Sequence, residues 1–273
     1  MSDILNSIDG RKVGTDHLEH LLVTGGLRTG KVGKQIDLVD SGNVSIFDDF
    51  TGGLTTAVWL ATEGTDAVTS DAAILAGGIG GVLRLTTGDA GTGLAADTEQ
   101  LTQQQLMWQA SNGDLIFQIR VKLSAITTCW AFFGFTDTVA AALEAPIESA
   151  ASADTITTNA SDAVGFMFDT RMATDNWWAV GVAANVDATA QNLGVAPVAA
   201  QYETLRIEVS TTGVAKFFRN GVKIGTAMSG AITAATDLTA VLAVSKTSVA
   251  ASMTADIDYV HVSMDRGLDG TAT

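Results

Sequence analysis

A single cysteine in 273 residues excludes an intrachain disulfide framework and a cysteine zinc cluster. That residue, Cys129, lies inside the apolar run 126–135 and reads as an inert, buried small hydrophobe. Proline is also scarce, with 2 residues against 28 glycines. Positive charge is short as well: 15 Lys and Arg face 30 Asp and Glu, a net charge of −15 and a pI near 4.3. A field of that sign disfavours nonspecific binding to nucleic acid or to an anionic membrane. No uncharged apolar run reaches the roughly 18 to 20 residues that span a bilayer, so no membrane insertion is expected. The opening MSDILNSIDGRK lacks the basic start, apolar core and small-residue cleavage site of a secretory signal. Synthesis in the cytoplasm, without secretion, is the expectation.

What is present is strand grammar. Hydrophobic residues make up 47% and charged residues only 16%, a folded composition in which Ala, Thr, Val and Gly suit short strands and tight turns. The clearest stretch is 201–225, QYETLRIEVSTTGVAKFFRNGVKIG. Leu205, Ile207 and Val209 alternate with Arg206, Glu208 and Ser210, the period of a strand with one buried face. Ser210–Gly213 and Asn220-Gly221 supply the turns of a meander. Further strands are expected at 44–47, 57–61 and 82–86, and at 115–123 after a turn at Asn112-Gly113. Residues 127–135 are nearly all apolar and predict a central strand covered on both faces. Residues 163–170 and 176–183 predict a hairpin, and 238–246 and 255–264 close the chain. In the last strand Ile257, Tyr259 and His261 are expected opposite Asp258, Val260 and Val262. Residues 62–81 and 88–97 read as loops, and 138–162 as a short helix with a long loop. About a dozen strands of this kind indicate an all-β, two-sheet antiparallel sandwich.

The first 43 residues differ. Between Gly10 and Ile36, Arg11, Lys12, Arg28, Lys31 and Lys34 outnumber Asp16 and Glu19, a local net of +3 in an acidic chain. Thr15 or Asp16 caps a short helix to Val23, and glycines at 25, 26, 30 and 33 prevent a long regular element. The segment reads as an extended arm that orders against a partner.

Motifs for chemistry are few. Gly25–Val32, GGLRTGKV, matches a phosphate-binding loop until Val32 stands where Ser or Thr would hold Mg²⁺. His17 and His20 lack a third ligand nearby. Asp48-Asp49, Asp66, Asp71, Asp89 and Asp97 lack the spacing of a Ca²⁺ loop. No cofactor or metal is therefore expected. Sandwich glucanases carry a compact E-x-D-x-(x)-E run; this chain has none, and Glu203 and Glu208 fall on opposite faces of one strand. Asp256 and Asp258 are expected to share a face and to cap a turn or meet solvent. Of the five tryptophans, Trp177 and Trp178 are the candidates for stacking on a sugar ring, although neighbours in a strand point to opposite faces.

VSIFDDFTGG, GDLIFQIRVKLS with AFFGFTDT, DAVGFMFDT with NWWAVGV, LRIEVSTTGVAKFFRNGVKIGT and ADIDYVHVSMD follow in that order. Together they resemble the concanavalin A-like lectin/glucanase (laminin G-like) jelly roll found in virion proteins of tailed bacteriophages. The resemblance covers residues 44–265, with an arm at 1–43 and a tail at 266–273. It implies a non-enzymatic virion structural protein, a capsid decoration protein on the shell exterior, binding the major capsid protein or other virion proteins. Arg11, Lys12, Arg28, Lys31 and Lys34 would pair with acidic shell surface, and Leu18, Leu21 and Leu22 would anchor the arm. A homo-oligomer is expected. The alternative is a module of a head or tail fibre that binds a cell-surface glycan.

Overall fold

The computed structural model describes residues 43–65, 71–78, 80–89, 94–139, 145–150, 154–248 and 252–266. The chain divides into a unit spanning Ile46–Met264 and a second made of residues 1–45 and 265–273. The strands are β1 (Asn43–Asp48), β2 (Trp59–Glu63), β3 (Asp71–Ile74), β4 (Leu83–Thr86), β5 (Glu99–Gln103) and β6 (Leu115–Leu123). They continue with β7 (Cys129–Thr136), β8 (Ile147–Ser149), β9 (Ile156–Thr158), β10 (Ala163–Asp169), β11 (Trp177–Ala183) and β12 (Val186–Asp187). The remainder are β13 (Gln191–Asn192), β14 (Glu203–Val209), β15 (Ala215–Arg219), β16 (Val222–Met228), β17 (Thr239–Lys246) and β18 (Thr254–Asp265). A short helix, α1 (Leu94–Asp97), precedes β5.

Two antiparallel sheets result. Sheet A runs β16-β15-β14-β6-β18-β4-β3, with β1 paired to β18. Sheet B runs β12-β11-β10-β7-β17-β5-β2, with β13 on β11. The strict alternation of burial along β6 and β14 fits the polar–apolar alternation of their sequences. Leu115, Phe117, Ile119, Leu205 and Ile207 thus enter the core, and Gln118, Arg120 and Arg206 leave it. Across the gap the rings interlock: Phe117 meets Phe135 edge-on at 5.7 Å, and Phe166 meets Phe217 at 5.1 Å between centroids. The turn residues match their geometry, since Asn220 and Gly221 both take positive φ, 50° and 79°, as a two-residue hairpin turn requires.

The all-apolar strand expected at 127–135 is β7, buried throughout and seated between β10 and β17. The expected hairpin is β10–β11. Three expectations change. Strand β3 lies in a segment read as loop, and β5 in a stretch for which no element was expected. Residues 147–149 and 156–158 pair as β8–β9 where loop was expected. The alternation assumed for β18 breaks between Ile257 and Tyr259, where the register shifts. Ile257, Val260 and Val262 are therefore the core residues, while Tyr259 and His261 fall on the other face with Asp256.

Candidate functional site

Each sheet has an outer face, and the two have opposite chemistry. On sheet B, registered neighbours place Ala163, Gly165 and Met167 of β10 in one outward row beside Phe132 and Trp130 of β7. Trp178, Val180 and Val182 of β11 and Val241 and Ala243 of β17 extend it. These side chains form a second buried cluster with Ala145, Ile147 and Ala160, and Ile156 packs against it. Hairpin β8–β9 thus covers this face, and the Trp130 indole N–H donates to the Ile147 carbonyl at 3.1 Å. The row on β10 ends in Asp169, held by Arg171 at 2.7 Å, with Glu148 on the same guanidinium at 3.1 Å. The other members of that row, Ala163, Gly165 and Met167, carry no ionisable group.

All five tryptophans are buried. Trp177 points between the sheets, donating to Glu203 Oε1 at 3.0 Å. Trp178 points the opposite way and is 3% exposed, its N–H donating to the Thr174 carbonyl at 3.3 Å. The pair does lie on opposite faces as the strand period demands, but neither ring reaches a surface open to a sugar. Arg11, Lys12, Leu18, Leu21, Leu22, Arg28, Lys31 and Lys34 lie outside the described residues, as do His17, His20 and the loop 25–32. Asp48 and Asp49 close a turn instead of gathering a cation: Asp48 accepts from the Phe50 amide and the Trp59 indole, both at 2.8 Å. Among the described residues no cluster of three His, Cys, Asp or Glu could hold a metal. Cys129 is buried, and burial pushes its thiol up to about 12, which leaves it unreactive at neutral pH.

The outer face of sheet A is open and polar. Asp256, expected at a turn or in solvent, is instead 1% exposed and central to this face. It accepts from Arg84 at 2.6 and 2.9 Å and pairs with Lys122 at 2.8 Å. Burial alone would raise its pKa; the Arg84 and Lys122 hydrogen bonds outweigh that and hold it below the ordinary carboxylate value. Asp258, displaced by the register shift, pairs with Arg120 at 2.5 Å. The Tyr202 ring lies under both cations, with Arg120 at 4.4 Å and Lys122 at 4.9 Å from its centroid.

Next along the face stands an aromatic group. Phe47 stacks on Tyr259 at 5.5 Å and leans toward His261 at 6.4 Å, yet remains 61% exposed. Burial, then the nearby Arg206 charge, pushes His261 below its ordinary value, so it is neutral at pH 7. Gln118 donates to the Tyr259 hydroxyl at 2.8 Å. Gln118 also lines a groove of about 230 Å³ with Thr204, Arg206, Glu208 and Phe218. Arg206 and Glu208, paired at 2.7 Å, continue into a second groove of about 390 Å³ bounded by Ile116, Val214 and Lys216. The sequence periodicity already placed Arg206 and Glu208 outward; applying the same alternation to the strand expected at 115–123 puts Gln118 and Arg120 beside them and would have found this site. Phe47 and Tyr259 gave no such signal.

No protein-family model matches the chain, and no curated protein matches it. Similarity to solved structures is broad in coverage and low in identity. The β-glucanase of Bacillus licheniformis aligns with a TM-score of 0.54 at 13% identity, covering 80% of this chain and 97% of that one. A glycoside hydrolase family 16 endo-glucanase from Bacteroides ovatus gives 0.54 at 13%, covering 80% and 99%. A Shewanella oneidensis protein of unknown function gives 0.50 at 13%, covering 89% and 99%. The shared property is the fold: an all-β, two-sheet antiparallel sandwich of the concanavalin A-like lectin/glucanase type.

Proposed function

We propose that this chain is a non-enzymatic structural protein of a bacteriophage virion, a capsid decoration protein whose N-terminal arm binds the shell exterior. The observation that carries the reading is the closed outer face of sheet B, apolar at Ala163, Gly165 and Met167 and covered by β8–β9. Hydrolysis of a glycan needs two carboxylates flanking a bond in an accessible cleft; the carboxylates at this face, Asp169 and Glu148, are both tied to the Arg171 guanidinium, and Asp169 is buried. A glucanase-shaped sandwich without such a cleft works through its surfaces and its termini. The sequence resemblance to virion sandwiches and the cationic arm of an acidic chain supply the partner. An arm of this kind contacts a large area at the cost of ordering entropy, and binding only the assembled shell stabilises it by mass action.

Co-sedimentation with purified phage capsids tests the reading, using the full chain and a variant lacking residues 1–43. Saturable binding at a fixed ratio to shell protein, lost on truncation, is the expected result. Equal binding by the truncated chain would remove the arm from the mechanism, and no binding by either would remove the shell. The exposed Phe47 and the polar grooves beside Tyr259 favour one second reading, a glycan-binding fibre module. That reading expects glycan-array signals that vanish in Phe47→Ala.

A further inference from the structure

The outer face of sheet A carries a knob and a hollow side by side. Phe47 projects from it, and the groove lined by Gln118, Thr204, Arg206 and Phe218 adjoins the Tyr259 on which Phe47 rests. Hollow and knob so placed are complementary to themselves: a twofold axis parallel to the sheet, lying in the contact plane between two facing copies, brings each to the other. The charges agree. A chain of net charge −15 repels its own copies, but six of its 15 cations, Arg84, Arg120, Lys122, Arg206, Lys216 and Lys223, lie on this face. They alternate there with Asp256, Asp258 and Glu208. On this face two copies meet with opposite charges within reach. The strand spacing of about 4.8 Å and rise of about 3.4 Å per residue give the seven-strand face a plan area on the order of 700 Å². A stable standard-size interface buries about 800 Å² per partner.

We infer that the outer face of sheet A is an isologous dimer interface, in which Phe47 of each copy seats in the Arg206–Phe218 groove of the other. The inference is independent of shell binding. Its occupant is a second copy because knob, hollow and both signs of charge are all present on one surface. The exposed Phe47 ring then becomes a buried anchor, ringed by the charged pairs.

Sedimentation equilibrium and light scattering on the full chain test this at micromolar concentrations. A species of twice the 28.1 kDa chain mass is expected for the wild type. Phe47→Asp and Lys216→Glu are each expected to shift it to a single chain that keeps the wild-type circular dichroism spectrum, because both side chains are exposed. Phe47→Trp is expected to retain the dimer. A monomeric wild type overturns the inference, whether or not it binds capsids or a glycan. So does an oligomer indifferent to Phe47→Asp and Lys216→Glu together. A Phe47→Asp variant that loses capsid binding while the wild type is monomeric assigns the face to the shell partner instead, which also overturns it.

Discussion

Glu203 engages both carboxylate oxygens, one receiving the Trp177 indole N–H at 3.0 Å and the other the Arg219 guanidinium. The group is nearly buried, so its removal strands an indole N–H and a half-buried cation. Glu203→Ala should therefore cost about 3 kcal/mol in urea unfolding, in the range for breaking a buried pair. Glu208→Ala, which breaks only the partly exposed Arg206 pair, should cost about 1 kcal/mol or less. Glu99 is the contrary case. It lies on β5 opposite Glu63 of β2, fully buried, and neither carboxylate oxygen has a hydrogen-bond partner. Burial first, then the Glu63 and Asp71 charges, pushes it up to about 9. The folded chain keeps this proton at neutral pH while the unfolded chain has released it. Between the ordinary carboxylate value and about 9 the unfolded state binds fewer protons, so this group lowers stability as pH rises. Glu99→Gln mimics the protonated form, and its melting temperature should exceed that of wild type increasingly from pH 5 to pH 9. Parallel melting curves for the two across that range would show that Glu99 ionises freely in the fold.

At the scale of elements, sheet B is packed so closely that three of its strands, β7, β10 and β11, carry a glycine where a Cβ would collide with a neighbour. A Cβ on Gly134 would collide with the Val164 carbonyl of β10, whereas one on Gly165 would meet the Phe132 ring at 2.5 Å. A backbone carbonyl is fixed by its ladder and a ring can turn. Gly134→Ala should then destabilise by about 3 kcal/mol and Gly165→Ala by about 1 to 2 kcal/mol, both overpacking costs measurable by denaturant titration. The same packing explains which elements the sequence disclosed. Strands β6, β14 and β18 face a core on one side and polar surroundings on the other, so alternation betrays them. Strand β7, buried on both faces, is apolar throughout and equally plain. Strand β5, Glu-Gln-Leu-Thr-Gln, is just as buried but polar, and periodicity has nothing to grip when polar groups enter the interior. Hairpin β8–β9 was hidden because its strands have three residues each. At the open face, Arg206 and Glu208 were legible as an outward pair. Tyr259 and His261 were assigned with Ile257 because a single displaced residue at Asp258 inverts the faces beyond it, and no residue type announces such a shift.

For the whole molecule the governing quantity is the contrast between a net charge of −15 and an arm with a local excess of cations. If the shell surface is acidic, the sandwich is repelled by it and the arm is attracted, so the two terms oppose each other, and salt screens the more distant charges more strongly. Contacts at the arm are short-ranged and the repulsion of the body is diffuse. Salt therefore relieves the repulsion first, and capsid affinity should rise modestly from low to physiological ionic strength before it falls. Replacing Arg11, Lys12, Arg28, Lys31 and Lys34 with glutamine leaves only the repulsion and the apolar anchor of Leu18, Leu21 and Leu22. At about 0.15 M salt, five weakened pairs at roughly 0.3 to 0.5 kcal/mol each lower affinity on the order of tenfold to sixtyfold. Binding isotherms of both chains on intact capsids across a salt series separate the terms. An affinity of the wild type that stays constant to molar salt, with the glutamine variant indistinguishable from it, would place the attachment in the leucines alone. The cations would then have no part in choosing the partner.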